Sequence, residues 1–206
     1  MNLHFKILMP VSFVLFLSFG FKIQNEKIYF NEKIISSFVL NDIYGKLFSL
    51  DNYKKNKGCI VVFTCNHCPF ATLYQERLNK LNEKYKEKGF PLIAINSISA
   101  VDFPEENISD LKKRAKDKKY NFPYLVDTKQ EAARLFGASK TPHAFVVYWQ
   151  NNQWLVKYNG AIDDNGAEPA KAEEHYVENA INELIAGKSV SVKETKSIGC
   201  AIKFKN

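Results

Sequence analysis

The period of the hydrophobic pattern changes several times along the chain, and each change marks an element. Cys59-Ile60-Val61-Val62-Phe63-Thr64 is a continuous apolar, β-branched run, and Phe90-Pro91-Leu92-Ile93-Ala94-Ile95-Asn96 is a second. A strand covered on both faces looks like this, because neither side meets water. Between the two runs Leu73, Leu78 and Leu81 recur at helical spacing, with Arg77, Lys80 and Lys84 on the other face. Upstream, Phe38-Val39-Leu40 and Lys46 to Leu50 flank Asn41 to Gly45, whose turn residues predict a hairpin.

Downstream, Pro104-Glu105-Glu106 opens a predicted helix to about Lys119, with its acidic residues in the first turn, where the helix dipole favours them. Phe122 to Val126 is a short extended stretch, and Gln130 to Phe136 predicts a helix stopped by Gly137. Ala144 to Gln150 and Trp154 to Tyr158 flank Asn151-Asn152 and predict a second hairpin. Ala170 to Ala186 is the last predicted helix, ended by Gly187, and Lys188 to Asn206 is a lysine-rich, surface-running tail. Alternating β and α elements predict an α/β fold. Its central sheet contains parallel strands, its helices lie on both faces, and the late hairpin adds antiparallel strands at one edge.

Composition narrows the setting. The 206 residues are 46% hydrophobic, enough for one sizeable core. The net charge of +7 comes from lysines spread along the chain, with no arginine-rich cluster. That distribution predicts a solvated basic surface and argues against a nucleic-acid footprint.

Lys6 followed by the apolar run Ile7 to Phe19, and then Ser18-Phe19-Gly20, has the layout of a signal sequence. The run is shorter than the roughly 20 residues of a membrane span. The expectation is therefore a signal peptide over residues 1–20, a folded domain over 34–187 and a tail over 188–206. The mature chain is expected in the periplasm or outside the cell, at a membrane only if the signal segment stays attached.

Four cysteines are present: Cys59, Cys65, Cys68 and Cys200. Cys65-Asn66-His67-Cys68 is too close a pair to staple a large loop, and it sits between a predicted buried strand and a predicted helix start. The unpaired N–H groups and dipole of a helix N-terminus stabilise thiolate over thiol, which makes a cysteine there a nucleophile. His67, as an imidazolium, would favour the reduced dithiol and so an oxidising site. Zinc would need two further ligands; Cys59, His67, His143 and Cys200 form no second ligand pair. Haem attachment needs a histidine after Cys68, where Pro69 stands. No cofactor and no resident metal are expected. Lys140-Thr141-Pro142-His143 precedes the Ala144 strand as a second candidate element.

From about residue 34 to 187 the chain resembles the thioredoxin superfamily, and within it redoxin-type proteins related to alkyl hydroperoxide reductase and thiol-specific antioxidant. The resemblance rests on Val61 to Ala71, Pro91 to Asn96, Thr141-Pro142-His143 and the ending Ile198 to Phe204. It implies a thioredoxin-like three-layer sandwich and a cis peptide bond before Pro142, with Thr141 and Pro142 bordering the cysteines. The tryptophan-containing lead into the cysteine pair is absent. If Phe63-Thr64 aligns ungapped with the end of the family's strand, the first family cysteine falls on Cys68 and the second on Ala71. Pro69 suits the first position of a helix, which would make Cys68 its N-cap. The nucleophile thus stays open between Cys65 and Cys68.

The expected activity is thiol–disulfide exchange with exported protein thiols and disulfides and with a further redox partner. The alternatives are a peroxidase, with Cys68 peroxidatic and Cys65 or Cys200 resolving, and a Cu(I) chaperone using Cys65, Cys68 and His67 or His143.

Overall fold

A computed structural model of the chain describes residues 33–205. The expected signal sequence lies outside the described residues. No described helix is long and apolar enough to cross a membrane.

Three strands form the parallel centre: β4 (Gly58–Phe63), β5 (Leu92–Asn96) and β6 (Tyr124–Val126). The first hairpin, β2 (Val39–Asp42) and β3 (Leu47–Ser49), extends the sheet beyond β6. The second, β8 (His143–Gln150) and β9 (Gln153–Gly160), lies on the other side of β4, with β1 (Ile34–Ile35) outermost. Asn151 and Asn152 both take positive φ, 52° and 58°, which lets a two-residue turn follow the twist of its strands.

The sheet's pleat sorts each apolar run between two cores. On one face Ile60, Val62, Leu92, Ala94, Ala144 and Val146 meet three helices: α2 (Gln75–Tyr85), α3 (Ile108–Asp117) and α5 (Tyr176–Ile185). On the other, Cys59, Val61, Phe63, Ile93, Ile95 and Phe145 meet α4 (Glu131–Phe136). Full burial of side chains such as Leu78 and Ile93 is worth about 1.5–3 kcal/mol each. These are the three layers that the alternating elements predict.

Several expectations give way to tertiary contacts. The helix after Pro69 is two: α1 (Pro69–Leu73) and α2, broken at Tyr74. Tyr74 Oη donates to Asp163 Oδ1 and Arg77 donates to Asp163 Oδ2 at 2.6 Å, so Arg77 turns inward while Leu73 is exposed. The helix expected from Pro104 is a single 3₁₀ turn to Glu106, and α3 starts only after Asn107, whose side chain accepts from Asp110 N. The last helix begins at Tyr176: Pro169–Lys171 is a separate 3₁₀ turn, and Asp164 N donates to Glu174 O just before the helix.

The segment after residue 187 also differs from the surface-running tail expected. Val190 and Ile202 are buried, and β10 (Cys200–Ala201) pairs antiparallel with β7 (Lys140–Thr141).

Candidate active site

Strand pairing brings the two candidate elements together. β4 and β8 run antiparallel, with Phe63 opposite His143 and Val62 opposite Ala144. The segment leaving β4 therefore emerges beside the segment entering β8. The first carries Cys65 to Cys68 and the second carries Thr141 and Pro142. Edge-to-face contacts among Phe63, Phe136 and Phe145, with centroids 5.0–5.8 Å apart, fix the end of β4 from below.

Both sulfurs of the motif meet Thr141. Cys65 Sγ lies 3.1 Å from Thr141 Oγ1, and the Cys68 thiol donates to the Thr141 carbonyl oxygen at 3.0 Å, a contact that opposes its ionisation. The Thr141–Pro142 bond is cis. Cys68 is the N-cap of α1, with Pro69 in the first turn, so the second cysteine of the motif takes the helix-start position. Ala71, one turn on, packs against Cys65 and Cys68. This is the arrangement that an ungapped alignment through Phe63-Thr64 implies.

The two thiols are driven apart in acidity. Cys68 is held below the ordinary cysteine range, foremost by the hydrogen bond from Cys65; burial opposes this, and the Cys200 thiol and the Ala71 and Cys200 backbone N–H groups add to it. Cys65 is pushed far up, first because it supplies that hydrogen bond and then by burial. Cys59 is also pushed up by burial, and it belongs to the sheet core with Val61 and Phe63, away from the site.

Glu106, which the sequence assigns only to a helix's first turn, is the anchor of the cysteine loop. Its side chain is wholly buried. Oε1 accepts from Asn66 N at 2.8 Å, from His67 N at 2.6 Å and lies 2.9 Å from His67 Nδ1. Oε2 accepts from Asn96 Nδ2 at 2.7 Å. The His67 ring stacks on Phe103 at 3.8 Å. Any charge on the imidazole is thus met by a carboxylate within hydrogen-bond distance. Glu106 had no sequence signal beyond its proximity to Pro104. A buried acidic residue looks the same as an exposed one until the fold places it.

Cys65, His67 and Glu106 offer ligand atoms within 4.8 Å of one another. The Glu106 oxygens already serve four donor groups, so a metal there would have to displace hydrogen bonds that hold the loop. His143 points elsewhere: its Nδ1 accepts from Ser139 N at 3.3 Å and its ring stacks on Phe145. Asn66 Oδ1 is a buried acceptor with no hydrogen-bond donor among the described residues. Beside Pro142 lies an open cavity of about 340 Å³ lined by Phe70, Leu73, Ile162, Gly166 and Ile198. Phe70, Leu73 and Ile198 are exposed there.

Burial lowers the His143 pKa to about 4, against 6.5 for the free residue. The folded chain therefore binds this proton less readily than the unfolded chain. The stability this lends is complete above pH 6.5, drains as pH falls and is gone near pH 4; its size is on the order of 3 kcal/mol. Denaturant unfolding across that window should show His143→Asn losing less stability on acidification than the wild type. A wild-type-to-variant difference that stays constant from pH 7 to pH 4 would exclude this linkage.

Known proteins share this architecture. A hypothetical protein of Sinorhizobium meliloti 1021 superposes with a TM-score of 0.75 at 34% identity, over 84% of this chain and 94% of that one. A putative thiol:disulfide interchange protein DsbE of Chlorobium tepidum superposes with a TM-score of 0.58 at 22% identity, over 76% and 98%. The fold is thioredoxin-like. In sequence, a thiol-disulfide oxidoreductase ResA of Bacillus thuringiensis subsp. konkukian is 30% identical over 111 residues, 54% of this chain and 60% of that protein's length. The AhpC/TSA family model matches residues 32–164, more than half of the chain, and the chain belongs to that family.

Proposed function

We propose that the chain is a thiol–disulfide oxidoreductase that exchanges disulfides with exported protein partners through Cys65-Asn66-His67-Cys68. The observation that carries this reading is the meeting of two buried thiols on one residue, Thr141, beside the cis Thr141–Pro142 bond, with Cys68 at a helix start. A thiolate attacks a disulfide sulfur, a mixed disulfide forms, and a neighbouring thiolate displaces the partner. The nucleophile in this reading is Cys68, because it caps α1 and accepts from the Cys200 backbone N–H, and Cys65 resolves. The name of the ResA relative supports the same chemistry. Export is supported by the signal-like layout of residues 1–20. The exposed apolar rim of Phe70, Leu73 and Ile198 suits an extended peptide segment of a partner.

In a glutathione redox buffer, mass spectrometry after alkylation should show Cys65 and Cys68 passing reversibly between two alkylated thiols and a disulfide two hydrogens lighter. Reduction of insulin and consumption of peroxide, measured side by side, separate exchange from peroxidase chemistry. A pair that stays reduced at every potential, or a chain that consumes peroxide and leaves insulin intact, would overturn the proposal.

A further inference from the structure

Cys200 closes over the cysteine pair. β10 sets Cys200 directly opposite Thr141, the residue on which both other sulfurs converge. The Cys200 backbone N–H donates to Cys68 Sγ at 3.3 Å, and Cys200 packs against the buried Cys65–Cys68–Ala71 cluster. This approach is built into the chain at Gly199. A Cβ there would lie 2.0 Å from the Thr141 carbonyl oxygen, so any other residue would push the strand away. Beneath the strap Cys68 is 0% exposed and Cys65 2%, whereas Cys200 is partly exposed. Of these three thiols, the one that meets solvent is on the strap.

We infer that Cys200 is a third redox thiol: Cys68 pairs alternately with Cys65 and with Cys200, and Cys200 is the sulfur at which a partner thiol enters. The inference rests on the exchange activity proposed above and adds to direct exchange at Cys68 a second route, in which Cys200 relays the disulfide to the surface. Starting from the Cys65–Cys68 disulfide, Cys200 gives up its proton and attacks Cys68 Sγ. The Cys65–Cys68 bond breaks, the Cys68–Cys200 bond forms, and Cys65 takes the proton. A partner thiolate then attacks Cys200 Sγ, and Cys68 departs as thiolate. The partner's second thiolate attacks the partner sulfur of the mixed disulfide and releases Cys200, which is reprotonated. In sum, one partner dithiol becomes a disulfide and the Cys65–Cys68 disulfide becomes two thiols, with Cys200 regenerated.

Acidity agrees with this geometry. Burial and the hydrogen bond to Cys68 hold the Cys200 thiol up at about 11, so the charge rests on Cys68. A low-pKa thiolate is the faster leaving group when the exposed sulfur is attacked, whereas the first step expels Cys65, a thiol held far up, and is the slower of the two.

The full chain in three forms tests the inference: wild type, Cys65→Ser and Cys200→Ser. Oxidised glutathione should convert Cys65→Ser to a form in which fragment-ion mapping links Cys68 to Cys200. Reduction of the oxidised Cys65–Cys68 form by reduced glutathione should be slower in Cys200→Ser, on the order of tenfold. Cys65→Ala replaces Cys65→Ser if the latter does not fold. Gly199→Val, which displaces the strap with all thiols intact, should raise the rate of Cys68 alkylation and lower the yield of the Cys68–Cys200 link. Glutathione held on Cys68 with Cys200 free in Cys65→Ser, together with wild-type rates in Cys200→Ser, would overturn the inference while leaving the exchange activity standing. A wild-type chain that never forms Cys65–Cys68 would instead overturn the activity.

Discussion

Cys68→Ser should abolish disulfide exchange, with a fall in kcat/KM on the order of 10³ or more, equivalent to about 4 kcal/mol of transition-state stabilisation. Cys68 is the sulfur common to the proposed pairings, so its loss leaves neither Cys65 nor Cys200 with the thiol it faces. Serine keeps the size and the helix-start position, and an alkoxide does not form at the pH where the Cys68 thiolate does. The chain should therefore remain folded while losing turnover. The pH dependence follows from the direction of the shift. Because Cys68 is held below the ordinary thiol range, its alkylation in the reduced wild type should persist as pH falls from 8 and fade only as the thiolate is protonated. Cys65→Ala removes the side-chain donor that lowers Cys68 most and should move that fading to higher pH. Cys59→Ala, a change within the sheet core, should keep the wild-type profile. A Cys68→Ser chain with more than a tenth of wild-type exchange would remove Cys68 from the reaction.

Glu106→Ala should lower stability by about 3–5 kcal/mol and release the cysteine loop. The figure is that of breaking a buried, hydrogen-bonded ionisable group away from its partners. Here the backbone N–H groups of Asn66 and His67, the Asn96 amide and the His67 ring are the partners left behind. Each orphaned buried donor costs about 1–3 kcal/mol, reduced where water can enter the vacated space. Glu106→Gln offers one carbonyl oxygen where the carboxylate offered two acceptors, and should fall between wild type and alanine. The separate readout of a positioning role is the Cys65–Cys68 potential: a negative charge raises the Cys65 pKa, so both variants should shift the couple beyond what altered stability alone would produce. Equal stability of Glu106→Ala and wild type in urea would show that the four contacts are dispensable.

The periods of the hydrophobic pattern determined the layers of this protein by themselves. Val61 and Val62 lie next to each other in the chain and in opposite cores in the fold, and a run apolar at both positions has one stable setting, the middle of a covered sheet. The turn asparagines, the glycine after α4 and the strand-then-cysteine-then-proline order were equally local, because each rests on the conformational preference of one or two residues. The same local logic placed Cys68 at a helix start, while the role of Thr141-Pro142 as the facing element came from the family resemblance.

What the sequence alone could not settle was every feature that depends on groups distant in the chain. Glu106 follows a proline and resembles an ordinary first-turn acid; only the approach of Asn66, His67 and Asn96 turns it inward, and it ends a helix that local propensity would continue. Arg77 belongs to the charged side of a helical pattern until Asp163, 86 residues on, draws it in. Cys200 sits in a lysine-rich segment whose composition predicts solvent, and it reaches Cys68 across 132 positions of sequence because Gly199 allows two backbones to touch. Hydrophobic periodicity reports on which face of an element is covered, and it carries no information about which partner covers it. The identity of the anchor, the relative acidity of the thiols and the placement of Cys200 against Cys68 were therefore decided by tertiary structure.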